Sequence, residues 1–237
     1  RTSIMQPTFM PWIGWFDLID QADTVIILDD VAFSKQSWQQ RNRIRTPDGL
    51  QYLTLPVATS GMMGQLISEA KISETHFLKK MLKTIKQNYS NANFFNLYYE
   101  SFCEKLTLAM NSNKLVDINI EIIYWFLENL GIDKKLLLAS DLNTTGNKSQ
   151  HVLNLCKKVE ASHYLSPHGA FEYLNKDRGL FAEADMEIEF HNFLHPVYKQ
   201  CFSPFLPYAS TLDLLMNVGS DSMSVIKSGR RDSFPLS

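Results

Sequence analysis

Residues 3–30 read SIMQPTFMPWIGWFDLIDQADTVIILDD: a short apolar stretch, a break, an amphipathic segment and a second apolar run. Ser3 to Met5 predicts a strand that stops at Gln6-Pro7. Pro11 then opens a helix through WIGWFDLIDQA, because proline in a first helical turn gives up only an N–H that has no partner there. Thr24 to Leu28 is a continuous β-branched run rather than an alternating one, which predicts a central strand covered on both faces. The unit is strand, loop, helix, strand, with Asp29 and Asp30 at the carboxyl end of the second strand, where open parallel sheets hold their ligands.

Outward from this unit, Pro47-Asp48-Gly49 is a turn between two extended stretches, predicting a hairpin or an extension of the sheet. Gly61 and Gly64 break the segment 60–67, which reads as a mobile loop able to act as a lid. Residues 74–130 carry apolar positions three and four apart in three successive segments, with Gly131 as the cap of the last. LLLAS (136–140), HYLSP and EIEFHNF read as further strands, a helix is expected from about Lys148 to Val159, and STLDLLMNVG reads as a terminal helix. The last residues, KSGRRDSFPLS, look like a basic, loosely ordered tail. The fold expected is therefore α/β: one Rossmann-like, mostly parallel sheet over residues 1–237, with a helical insertion or cover at 73–131.

The chain has 237 residues, 45% hydrophobic and 20% charged, enough to bury a sizeable core. Its formal net charge of −2 argues against nucleic-acid binding, so an anionic ligand must be met by a local cluster. No apolar run reaches the roughly 20 residues of a spanning helix. Cys103, Cys156 and Cys201 lack metal-ligand or disulfide spacing, which predicts reduced thiols and a cytoplasmic protein. His191 and His195 lie four apart beside Pro196 in an extended segment, so helical zinc geometry is not available and no metal site is expected. His76 and His151 read as surface positions. No motif names a cofactor or an oligomeric state.

Polar residues gather early in the chain. Gln6, the helix start with Trp12 and Gly14, and the string LDDVAFSKQSWQQRNRIR bring Asp29, Asp30, Lys35, Trp38, Arg41, Asn42 and Arg43 within a short span. A helix N-terminus offers free N–H groups to an anion, and Gly14 leaves room for a ligand's approach. Arg41, Arg43 and Arg45 share one face of an extended chain, where guanidinium groups suit phosphate; pairing of Arg41 and Arg43 with Asp29 and Asp30 is the structural alternative. Later in the chain Lys148 stands at a helix start, His195, Tyr198 and Gln200 combine an imidazole, a hydroxyl and an amide, and Asp213 and Asn217 share one helical face.

The string IMQPTFMPWIGWFDLIDQADTVIILDDVAFSKQSWQQRNRI, continued by LTLPV at 53–57, resembles the signature of the WbqC-like family. The second half, from GNKSQHVLNLCKKVEASHYLSPHGAFEYL to the His-Pro-x-Tyr-x-Gln segment and the Ser-x-x-Asp-Leu-Leu-x-Asn-x-Gly ending, is similar as well. The chain departs from the expected pattern at Pro167-His168-Gly169, where a glycine is expected directly after Ser166. The resemblance implies a part in O-antigen or related surface-polysaccharide synthesis, as modification of an amino sugar. Together these readings predict a small-molecule nucleotide or sugar-phosphate ligand and group transfer, acyl or aminoacyl, with Asp30 or His195 as base. Lys35, Arg41 and Arg43 would hold phosphate, and Trp12 or Trp38 would stack on a ring. The competing reading is a non-catalytic sugar-nucleotide-binding or scaffold subunit.

Overall fold

The computed structural model describes residues 1–236. In chain order the elements are β1 (Thr2–Met5), α1 (Ile13–Gln21), β2 (Thr24–Ile27), β3 (Arg41–Thr46), β4 (Gly49–Thr54), α2 (Phe77–Tyr89), α3 (Phe95–Ala109) and α4 (Leu115–Leu130). They continue with β5 (Leu136–Leu138), α5 (Ala139–Leu142), α6 (Ser149–Lys158), β6 (His163–Ser166), α7 (Phe171–Lys176), α8 (Arg178–Ala182) and β7 (Glu187–Phe193). The chain closes with α9 (Thr211–Val218), α10 (Ser222–Ser228) and β8 (Arg230–Pro235).

Six strands form one sheet in the order β5-β2-β1-β6-β7-β8, all parallel except the β7–β8 pair. The α/β reading holds. Side chains alternate across the central strands: Ile4, Ile26 and Tyr164 enter one apolar cluster, with Leu153, Leu155 and Phe181 of α6 and α8. Met5, Val25, Ile27 and Leu165 enter the other, with Phe16, Phe126 and Leu215 of α1, α4 and α9. Both faces are covered, which explains why the strand sequence is continuously apolar.

The helical middle, α2 to α4, packs on the second of these faces, and Gly131 closes α4 at φ 68°, a conformation that costs glycine little. The hairpin β3–β4 forms as expected, but as a sheet of its own. It is fastened to the loop after β1 by Asn42, whose Nδ2 donates to the carbonyls of Phe9 and Met10 at 3.1 and 2.8 Å.

Three expectations are corrected. The tail is not loose over its described residues: Lys227 and Ser228 end α10, and Arg230–Pro235 is an edge strand pairing Phe190 with Phe234 and Phe193 with Arg230, while Ser237 lies outside the described residues. Polar residues hid it because an edge strand needs apolar contacts only on its covered side. For the same reason α9 is not the terminal element. The strand at 136–140 stops at Leu138, since Ala139 begins a helical turn.

Candidate functional site

The chain runs outward from β1 through β2 to β5, then returns to the other side of β1 with β6, so the strand order reverses between β1 and β6. Ligands of open parallel sheets sit at such a reversal, outside the carboxyl ends. β1 and β6 share a single ladder position, Thr2 opposite Tyr164, and the pairing is not continued toward those ends. A cavity of about 800 Å³ opens there, within the range of small-molecule sites. Gln6 and Thr8 line it from the loop after β1, and Gly14 and Trp15 from α1. The segment after β6 contributes His168, and β7 contributes His191 and Asn192.

A second pocket of about 360 Å³ lies alongside, lined by Asn42, Arg43 and Tyr208 and sharing Thr8, Trp12, Trp15 and Trp38 with the first. The floor is thus aromatic and the single guanidinium stands at one side. Arg43 lies over the Trp38 ring at 5.2 Å and donates to the Tyr208 carbonyl at 3.2 Å, while its buried Nε has no partner. Gln39, also lining the main cavity, donates to Gln6 Oε1 at 2.8 Å and accepts from the Ser34 N–H at 2.9 Å, which fixes the amide of Gln6.

Trp12 precedes α1 and packs against Phe193, His195 and Tyr208 with ring centres 5.4–6.0 Å apart. The space left by Gly14 is filled by this indole, because a Cβ at position 14 would meet the ring at 2.2 Å. The room expected for a ligand is taken by Trp12 itself. Gly14→Ala is therefore expected to expel the indole, costing about 1–3 kcal/mol by overpacking and shifting tryptophan emission to the red. An unchanged spectrum and melting temperature would contradict this packing.

The structure gathers some of the sequence-selected residues and disperses others. Gln6, Trp12, Gly14, Trp38, Asn42, Arg43 and His168 line the two pockets. Asp29 is buried elsewhere, accepting from Ser140 N at 3.0 Å and Ser140 Oγ at 2.7 Å. Asp30 meets His151 Nε2 at 3.0 Å, and this places His151, read as a surface residue, in a buried site. Neither aspartate pairs with Arg41 or Arg43. Arg41 lies over the Tyr52 ring at 4.3 Å, while Arg45 is buried and donates to the carbonyls of Thr46, Gly49 and Pro204. The three guanidinium groups thus rest on separate partners and do not converge on one anion. Lys35 and Lys148 are exposed outside the cavity lining, as are Met62 and Met63 of the loop expected to be a lid.

His195 has both ring nitrogens engaged. Nδ1 donates to the Pro196 carbonyl at 2.9 Å and Nε2 accepts from the Tyr208 N–H at 3.1 Å, while burial lowers its pKa below 6.5 against that carbonyl bond. Tyr198, Gln200, Asp213 and Asn217 form a buried network instead. Tyr198, Gln200 and Tyr89 each donate to the Asp213 carboxylate at 2.8 Å, and Asn217 donates to the Asp213 carbonyl at 2.8 Å. Arg45 N donates to Tyr89 Oη, so the network ties the hairpin to α2 and α9.

Several cavity residues, among them Thr8, Gln39, His191 and Asn192, were not selected from sequence, and His191 carries the most chemistry. His191 lines the cavity with its Nε2 2.7 Å from Asp17 Oδ2. The signal was available: Ile188 and Phe190 face one side of β7, so Glu189 and His191 face the other, and Asp17 in the middle of an apolar helix needs a partner.

An open, mostly parallel α/β sheet with an aromatic-lined cavity at its reversal point places the chain in the class of open-sheet α/β proteins. Within it, residues 6–225 match the family model described as WbqC-like protein family, and the chain belongs to that family. It is 32% identical over 228 residues to the uncharacterized protein Rv1507c of Mycobacterium tuberculosis (strain ATCC 25618 / H37Rv), covering 96% of this chain and 97% of that one. No solved structure matches the chain. Among the described residues no helix is long and apolar enough to cross a membrane.

Proposed function

We propose that this chain is an enzyme of bacterial surface-polysaccharide (O-antigen) biosynthesis. It binds a nucleotide-linked or phosphorylated amino sugar at the β1/β6 reversal and transfers an acyl or aminoacyl group to it. The observation carrying this reading is the pair of joined pockets: an 800 Å³ chamber with amide and imidazole groups, and a side pocket bearing Arg43. Trp12 and Trp38 offer faces to a base or sugar ring, and Arg43 offers paired donors to a phosphate. Family membership supports the glycan context.

The alternative, a sugar-nucleotide-binding subunit without catalysis, is favoured by one observation. Among the described residues that line the cavity, no serine or cysteine hydroxyl or thiol is hydrogen-bonded to a histidine, so no activated nucleophile of that kind stands there. Direct transfer to the acceptor does not need one.

Thermal unfolding against a panel of nucleotides, nucleotide sugars and aminoacyl donors tests the site, since a ligand at a hundred times its Kd adds about 2.7 kcal/mol. Stabilisation is expected with a nucleotide sugar. Arg43→Ala should weaken that binding by about tenfold, the value of one charge-assisted contact. A panel with no stabilising member counts against the reading, as does an Arg43→Ala protein that binds as tightly as the wild type.

A further inference from the structure

Asp17 lies in the middle of α1 with no solvent exposure, among Ile13, Phe16 and Leu18. A carboxylate in such a place costs several kcal/mol unless every oxygen is partnered. The partners come from three elements. Oδ1 accepts from Arg230 Nε of β8 at 2.9 Å, and Oδ2 accepts from Gln21 Nε2 and His191 Nε2, each at 2.7 Å. Arg230 also bonds Asp20, beside Lys227, so the cation is itself held. The His191 ring stacks with Phe193 at 5.9 Å and lines the cavity, and among the described residues its side-chain hydrogen bond is the one at Nε2. A carboxylate that accepts from one ring nitrogen fixes the proton there and leaves the other nitrogen with a free lone pair.

We propose that His191 is the proton-transferring catalytic residue of the cavity, with Asp17 and Arg230 as its positioning residues. This rests on the reading of the cavity as the substrate site, and it moves the proton-accepting role from Asp30 and His195, which are engaged elsewhere, to His191. The acceptor sugar's hydroxyl or neutral amine gives its proton to Nδ1 while its lone pair forms the bond to the carbonyl carbon of an activated acyl or aminoacyl donor. The leaving group departs with the electrons of the broken bond and takes that proton back from the imidazolium. Asp17 stabilises the imidazolium in between without accepting the proton, as the carboxylate of a histidine–aspartate pair does. Arg230 Nε donates to Asp17 Oδ1, which leaves Oδ2 turned to the ring as its acceptor.

Long-range ¹H–¹⁵N spectra of protein labelled at histidine test the geometry, with the His191 signals identified by their loss in His191→Gln. The expected result is a protonated Nε2 and a bare Nδ1 in the wild type, and a mixture of tautomers in Asp17→Asn. If Asp17→Asn does not fold, Arg230→Gln, at a partly exposed site, serves for the same comparison. Titration with UDP-N-acetylglucosamine should move the Nδ1 signal and leave Nε2 in place. His191→Gln should bind that probe within about threefold of wild type yet lower product, read by mass spectrometry of the glycan, by about a hundredfold or more. A protonated Nδ1 in wild type, or product within threefold of wild type in His191→Gln, overturns the assignment. The two proposals fail separately: a bare Nδ1 in a protein that binds no sugar nucleotide overturns the proposed substrate, whereas a protonated Nδ1 in one that binds it overturns the role of His191.

Discussion

Asp213→Ala is expected to lower stability by about 4 kcal/mol, roughly 10 °C in melting temperature for a chain of this size. The carboxylate is fully buried and accepts from Tyr89, Tyr198 and Gln200. Removing it leaves the Tyr89 and Tyr198 hydroxyls without an acceptor, at about 1–3 kcal/mol for each unsatisfied group, and takes one of the two acceptors of the Gln200 amide, which keeps the Leu206 carbonyl. Asp213→Asn keeps the volume and most of the bonds and should cost much less. Thermal denaturation of the two variants measures the difference, and an alanine variant that melts within about 2 °C of wild type would remove the network from the account of stability.

The same carboxyl has a pH signature. Burial raises its pKa above 3.8, against the hydrogen bonds from Tyr198, Tyr89 and Gln200 and the nearby Arg45 charge, which lower it. The folded state therefore holds this proton more tightly than the unfolded state does. Its contribution is fully present below 3.8 and is lost as pH rises through the higher folded-state value. The stability of wild type relative to Asp213→Asn should fall across that window and then level off. A relative stability that climbs with pH would mean that the hydrogen bonds from Tyr198, Tyr89 and Gln200, with the Arg45 charge, outweigh desolvation.

Deleting residues 230–237 is expected to be more damaging still, at a cost on the order of 5 kcal/mol or more, comparable to the whole margin of a typical domain. The deletion uncovers the edge of β7, removes Phe234 from its stack on Phe190 at 5.6 Å, and takes away Ser233, which donates to Glu189 at 2.9 Å. It also strips the buried Asp17 carboxylate of its guanidinium. The expected product is aggregated or melts at least 10 °C lower, as circular dichroism and light scattering would show. A truncated protein within a few degrees of full length would restore the reading of a loosely ordered tail.

What was legible follows from what is local. The strand at residues 2–5, the first helix, the buried strand at 24–27 and the seven-residue strand EIEFHNF all announce themselves by periodicity within their own windows. β8 does not, because its pairing depends on β7 and its side chains answer to Asp17, Asp20 and Glu189. The doublet Asp29-Asp30 shows the same limit within the site. Adjacent residues in sequence go to different partners, Ser140 and His151, both more than a hundred positions away. Trp12, Trp38 and Arg43 could be picked out because the loop after β1 and the hairpin that carry them are neighbours in the chain. The pairing of His191 with Asp17, 174 positions apart, requires the closed sheet.

Asp29 binds Ser140 across 111 positions, at the point where the edge strand β5 has just joined β2. Joining the ends of a flexible loop of that length carries an entropic cost of roughly 4 kcal/mol beyond a constant, far more than three strand residues return. The edge can form early only if α2, α3 and α4 have already shortened the path between them. The order expected on this argument is helices first and outer strand afterwards, with the carboxylate of Asp29 as the latch that shuts once the distance has been closed.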